Sequence, residues 1–386
     1  MYKQQQNKHS SKKRAISLDL ARGFMLLLII LAHVPLLLYG SEPGLMSRTA
    51  SVTSLDRLFN VFGELFIDNR ARPLFAVLFG YGLVMIFESQ LSKGYSQKEA
   101  RKTVRRRSLY LILFGVILAV LIGGQDILMA YGTIGLLVGW LLLRSNKVLI
   151  TVTIIITSIF ISYIPILWGF ILYENGSYGF GTEFSADYHY IQSLVEALLY
   201  FPIIPLFIHF LFPILPSVLV GMWLGRKKLL TAPQQNSRLK MIAIICITIS
   251  LLGALPLALI GETWMPSLFS TGVLNGIQII TGTAGGIGYA ALFGILGNLI
   301  KSPGWLTNAL TALGKRSLTF FVLNETLLVI LFSPVAFGLG GKLTNTEATF
   351  IAIFIWCLGV FIAYMLEKFK INGPLESLMR HAVYKK

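Results

Sequence analysis

Apolar runs long enough to cross a bilayer alternate with short polar segments along most of the 386 residues. A helix spans the hydrocarbon layer with ~20 residues, and on that measure the pattern predicts ten crossings. They fall at about 16–39, 74–91, 109–122, 127–143, 148–173, somewhere in 194–224, 241–260, 274–300, 318–337 and 350–366. The sixth stretch is too long for one straight helix and carries Pro202, Pro205, Pro213 and Pro216, so a kinked or broken helix is predicted there. The eighth contains GTAGGIGYAALFG, small residues that let helices approach closely. Between the first two crossings, LDRLFNVFGELF puts its apolar residues on one helical face, with Ser54 positioned as its cap. That pattern predicts a short amphipathic helix, lying at the outer surface or folded back into the bundle. The fold class is therefore all-α, a polytopic membrane bundle. Residues 1–14 form a basic tail, 15–370 a single transmembrane domain and 371–386 an amphipathic tail.

Composition agrees: 55% of residues are hydrophobic, only 13% are charged, and the mean hydropathy is +0.72. Soluble domains average about 25% charged residues. The net charge of +16 is spatially sorted and does not point to nucleic acid. With the N-terminus inside, 27 lysines and arginines fall on the cytoplasmic side and 5 outside, while Arg22 lies within the first crossing. This is a strong positive-inside pattern, and it predicts both termini in the cytoplasm. The two cysteines, Cys246 and Cys357, sit far apart in apolar runs and suggest neither a disulfide framework nor a metal site. The first apolar run is too long for a cleaved signal and reads as a retained anchor.

Within that first run, RAISLDLARGFMLLLIILAHVPLLL, stand Asp19, Arg22 and His33. Ionisable groups inside a span are costly and mark a functional site by default. Arg22 and His33 are eleven residues apart, which puts both on one helical face ~16 Å apart along the axis. The blander readings are an arginine snorkelling to the headgroups and a histidine bonded to a neighbouring helix.

The same residues carry a resemblance. LDLARGFMLLLIILAHVP resembles the first span of the YeiB-like membrane proteins of unknown function, which commonly have Asn where this chain has His33. The Arg, ten residues, His spacing is similar to the first span of the membrane acyltransferases that modify cell-surface sugars. A more distant likeness is to the lysosomal heparan glucosaminide acetyltransferase group.

Three further blocks extend the resemblance over nearly the whole chain. FIDNRARPLFAVLFGYGL brings Asp68, Arg70 and Arg72 to the point where the chain re-enters the membrane. They form either a polar mouth that holds an acceptor or an interfacial salt-bridge cluster. In RRRSLYLILFGVILAVLIGGQDILMAYGTIGLL, Asp126, Ile127, Leu128 and Tyr131 match the family, but its histidine in this run is missing. Asp126 is positioned either to hold His33 in one tautomer or to cap a helix. In GKRSLTFFVLNETLL, Asn324 stands for the family glutamine, and Glu325 lies well inside the apolar layer, where a carboxylate needs a partner or a proton. The tail, GPLESLMRHAVY, matches the family ending and reads as a docking helix.

The resemblance implies acyl transfer from a cytoplasmic acyl-CoA to a hydroxyl or amine on a lipid-linked or extracytoplasmic acceptor. His33, Asp126 and Glu325 are the candidate catalytic residues. Arg22, Asp19, Arg72, Asp68, Tyr131 and Asn324 are the candidate binding residues. The basic loop 101–107 would draw in the anionic donor. Arg22 and His33 are expected to line one cavity open to the cytoplasm. Acyl-CoA is the only cofactor-like molecule implied, with no metal. The partners are the bilayer and a small-molecule or lipid-linked acceptor, a homo-oligomer is left open, and the setting is a bacterial plasma membrane. No P-loop, dinucleotide fingerprint or HExxH zinc motif is present. The rivals are a secondary transporter using Glu325, Asp126 and the broken sixth span, and a non-catalytic scaffold or sensor.

Overall fold

The computed structural model describes residues 15–180, 189–201, 203–261 and 263–384. The basic cluster at 12–14 and residues 181–188 of the acidic, aromatic loop at 174–190 lie outside them. The described residues are helical and contain no strand, only three isolated bridges. Six helices are long and apolar enough to cross a membrane, or seven if one bent pair is counted as a span. This pattern points to a multi-pass membrane protein.

Helix α1 (Ile16–His33) continues as a single 3-10 turn through Leu37. It is the central element, packing against α3 (Ala71–Leu91), α11 (Leu268–Leu299), α12 (Trp305–Lys315), α13 (Ser317–Phe332) and α14 (Asn345–Lys368). Its contact with α12 is backbone to backbone: a Cβ added to Gly23 would come 2.3 Å from the Leu310 oxygen.

The predicted amphipathic helix is α2 (Ser54–Phe66), capped by Thr53 rather than Ser54. The Thr53 hydroxyl accepts from the Asp56 N–H, and the Asp56 side chain accepts from the Thr53 N–H. Its faces are reversed relative to a soluble helix. Asp56 and Glu64 are buried, whereas Leu55, Leu58 and Phe62 are about half exposed. Lipid solvates the apolar stripe, so the polar one turns inward and finds partners. Asp56 accepts from the Thr346 N–H and hydroxyl at the start of α14, at 2.9 and 2.6 Å.

Helix α4 (Gln97–Val116) runs on into a π-helical segment, Ile117–Ile122, which ends at Gly123 in the left-handed conformation (φ +76°). The basic residues 101–107 are therefore helical and not a loop. Ser96 and Glu99 form a capping box at the start of α4. Helix α5 (Leu128–Val138) has only 11 residues, ~16 Å at 1.5 Å per residue. The turn before it therefore stands inside the bundle rather than at the outer end of a full crossing.

Helix α6 (Asn146–Asn175) is long and mostly exposed, with an apolar surface. The proline-rich stretch is broken as predicted, into α7 (Tyr190–Tyr200), α8 (Ile204–Leu211) and α9 (Ile214–Arg226), with a 71° bend between the first two. Helices α10 (Asn236–Ala258) and α11 form the most extensive pairing in the fold, and α11 glycines provide the close approach: a Cβ at Gly288 would lie 2.8 Å from Cγ1 of Ile247 on α10. Helix α12 was not anticipated from the sequence. The tail helix α15 (Pro374–Tyr384) docks through Glu376, whose carboxylate accepts from the Leu318 and Thr319 N–H groups and the Thr319 hydroxyl. The start of α13 packs beside the start of α1, so both ends of the described chain lie at one face, called here the terminal face.

Candidate functional site

Two cavities enter the bundle from opposite ends. The one at the terminal face has a volume of about 350 Å³ and is lined by Arg22, Arg107, Lys315, Arg316 and Arg380, with Phe75, Phe79 and Phe321 toward its inner end. The one at the opposite face has a volume of about 820 Å³ and is lined by His33, Asp126, Arg72, Asp68 and Gln278, among others. Arg22 and His33 thus line different cavities, and the expected single cavity is not found. The partition is thin. On α3, Arg72 faces one cavity and Phe75 the other; at the start of α5, Ile127 and Leu128 divide in the same way. Tyr131 is wholly buried between them. Its ring centroid is 4.2 Å from that of Phe75, and its hydroxyl donates to the Arg72 carbonyl at 2.7 Å.

His33 ends α1, where the helix gives way to the turn made by Pro35. Its Nδ1 is 2.8 Å from Glu325 Oε1 on α13. The imidazole is 16% exposed and the carboxylate 1%. Glu325 is thus buried and partnered, as its place in the apolar run demands. Its second oxygen, Oε2, has no hydrogen-bond partner among the described residues. With Nδ1 directed at the carboxylate, Nε2 is left for the cavity. This arrangement fixes both tautomer and ring orientation.

Of the two readings open for Asp126, the structure shows the helix cap: its oxygens accept from Leu128 N–H at 2.8 Å and Met129 N–H at 2.9 Å at the start of α5. It lines the same cavity as His33, but the partner is Glu325 because the 123–127 turn packs against α13. A Cβ on Gly124 would lie 3.2 Å from the Glu325 Cβ.

Asp19 is buried and pairs with Arg22 at 3.1 Å on the same helix. Asp68 pairs with Arg48 at 2.7 Å, and Arg48 also faces Glu64 at 3.8 Å. Glu64 accepts from the Gln278 amide, whose own oxygen takes a hydrogen from Asn69. Arg70 is saturated by Ser250 and by the Glu64 and Asp68 carbonyls, a structural role. Asn324 is buried on α13, with Oδ1 toward Gly359 of α14, and lines neither cavity. Tyr131 lines neither cavity but lies in the wall between them.

Arg107 belongs to the 101–107 segment expected to draw in the donor, whereas Lys315, Arg316 and Arg380 were missed, because the charge pattern counted their clusters only as a topology signal. Arg316 and Lys315 share Glu367 of α14, and Arg316 also donates to the Ile371 carbonyl. Arg48 and Gln278 were missed as well, since neither sits in a motif. Among the described residues no group of three or more His, Cys, Asp or Glu side chains is arranged to hold a metal ion.

A family model described as Protein of unknown function (DUF418) matches residues 224–386. The Uncharacterized protein YeiB of Escherichia coli (strain K12) is 24% identical over 386 residues, spanning 95% of this chain and 96% of the relative. The Uncharacterized protein YxaH of Bacillus subtilis (strain 168) is 34% identical over 140 residues, 34% of this chain and 32% of the relative. These matches support a YeiB-like family, and none of the three descriptions names an activity.

Proposed function

We propose that the protein is a membrane acyltransferase in which His33 is the general base and Glu325 its orienting partner. The observation that carries the reading is the His33–Glu325 pair, 2.8 Å apart at the inner end of a cavity. The terminal-face cavity, with Arg22, Arg107, Lys315, Arg316 and Arg380, suits the phosphates of an acyl-CoA. The acceptor enters from the other side. The Phe75–Leu128 partition parts to admit the pantetheine arm, whose length matches the ~16 Å between Arg22 and His33 at 1.5 Å per residue.

In the reaction, His33 Nε2 takes the proton of the acceptor hydroxyl or amine, and the acceptor attacks the thioester carbonyl. The carbon–sulfur bond breaks, and the leaving thiolate takes the proton from the imidazolium. Glu325 steadies the positive ring in between.

We count ten membrane segments: the six long helices, α4 with its π extension, the short α5, which reaches only part of the way across, the broken α7–α9 stretch and α13. With the charge distribution, we infer that the terminal face is cytoplasmic and that the membrane is a bacterial plasma membrane. One observation favours a second reading: two cavities on opposite faces with a thin wall between them are also what a transporter offers. Purified protein incubated with radiolabelled acetyl-CoA and a membrane lipid extract separates the two. Label transferred to lipid and lost in His33→Ala supports acyl transfer. Uptake into vesicles that survives His33→Ala supports transport.

A further inference from the structure

The larger cavity is lined by several charged side chains, and all but one are engaged. Asp68 is held by Arg48, Glu64 by Gln278, Asp126 by two backbone N–H groups, and His33 by Glu325 behind the lining. Glu196 accepts from the Gln192 amide at 3.0 Å. Arg72 is the exception. Its guanidinium carbon lies over the Phe212 ring, 3.7 Å from the centroid. Among the described residues it makes no ion pair or side-chain hydrogen bond; only its carbonyl is used, by Tyr131. Asp68 is near enough to attract it electrostatically, but its carboxylate is bonded to Arg48.

A guanidinium has five N–H donors in a planar fork that matches an oxyanion two bonds at a time. Leaving that fork without an acceptor away from bulk water is costly. The cation–π contact with Phe212 recovers part of this cost, and Arg72 lines the cavity. Phe212 is braced in turn by Trp168, with ring centroids 5.7 Å apart. The remaining lining includes Ile29, Leu36 and Ile208, apolar surface beside a single unsatisfied cation. A cavity of about 820 Å³ so built suits an amphiphile with an anionic head. In a bilayer the anionic amphiphiles in supply are lipids whose head is a phosphate.

We propose that Arg72 is a phosphate-recognition residue, binding the phosphate of a lipid headgroup in this cavity with Phe212 as its platform. The proposal rests on the acyl-transfer reading only in taking that lipid as the acceptor; binding itself does not depend on transfer.

The test is a thermal-stability and affinity titration of the full chain in a neutral detergent. The probes are short-chain phosphatidylglycerol, inorganic phosphate and, as a neutral control, short-chain diacylglycerol. Phosphatidylglycerol is expected to bind and raise the melting temperature, and diacylglycerol to bind at least tenfold more weakly. Arg72→Gln should lower phosphatidylglycerol affinity at least tenfold, with Arg72→Lys intermediate because an ammonium neither stacks nor forks in the same way. Should Arg72→Gln fail to fold, Phe212→Leu decides, since it keeps the charge and removes the platform; it too should weaken binding severalfold. If inorganic phosphate alone binds, or if diacylglycerol binds as well as phosphatidylglycerol, the lipid-phosphate assignment is overturned. Unchanged phosphatidylglycerol affinity in the folded variants overturns it as well. Arg72-dependent binding together with unchanged transfer in His33→Ala would remove the acyl-transfer reading and leave this one standing.

Discussion

His33 Nδ1 and Glu325 Oε1 meet at 2.8 Å across 292 positions of sequence, joining the end of α1 to the middle of α13. The contact turns an isolated histidine into an oriented base. It also accounts for a carboxylate that would otherwise be stranded in an apolar helix. His33→Ala is expected to reduce transfer by about 10²–10⁴-fold, the range for loss of a general base. Glu325→Gln keeps a hydrogen-bonding partner but loses the negative charge that steadies the imidazolium, so a smaller loss is expected. Steady-state rates on purified variants, with melting temperatures alongside, check both. A rate loss that merely tracks unfolding would assign the pair to structure.

The long apolar crossings, the proline break and the tail dock were legible because each follows from length, residue type or a local rule. Glu325 was legible as a group needing a partner, but the partner was not. Asp126 and Glu325 are both carboxylates, and only the packing of the 123–127 turn against α13 decides between them. The terminal-face cavity was hidden for a similar reason. Arg107, Lys315, Arg316 and Arg380 come from three separate segments; the one holding Arg107 reads as a donor-attracting patch, and the other two read only as positive-inside signals. Arg22 and His33 do share a helical face, yet Phe75 and Tyr131 come between their cavities from other helices, which one span's periodicity cannot reveal.

Asp56 ties α2 to α14 while also closing its own capping box, using both carboxylate oxygens on five donors. Asp56→Ala leaves the buried donors of Thr346 without a partner and removes the α2 cap at the exposed Thr53, at about 2–4 kcal/mol in total. A clear drop in melting temperature in detergent is expected. Asp56→Asn, which retains one acceptor oxygen, should lose less.

The crossing of α1 and α12 gives a steric test of the packing. A Cβ at Gly314 would lie 1.7 Å from the Asp19 carbonyl oxygen, whereas one at Gly304, at the start of the same helix, meets nothing within 4 Å. Gly314→Ala should therefore destabilise by about 3 kcal/mol or prevent folding, and Gly304→Ala should change melting by very little. Comparable melting of the two variants would mean that α12 does not approach α1 so closely.

The partition between the cavities predicts which side reaches which residue. Ala32 lines the larger cavity and Gly82 the terminal-face one, where a Cβ would meet only the Arg22 guanidinium, at 3.8 Å. In a background with Cys246 and Cys357 replaced, Ala32→Cys should react with a membrane-impermeant thiol reagent added outside and not inside. Gly82→Cys should show the reverse. Acyl-CoA on the inside should slow modification of Gly82→Cys and leave Ala32→Cys unaffected. Phe75→Ala removes the ring that packs on Tyr131, so each cysteine should then become reachable from both sides. The wall is a few side chains thick, and its apolar rings exclude a charged reagent by desolvation more than by distance. Reaction of either cysteine from both sides with Phe75 in place would mean that the cavities are continuous, and no gating step would then be needed for the donor to reach His33.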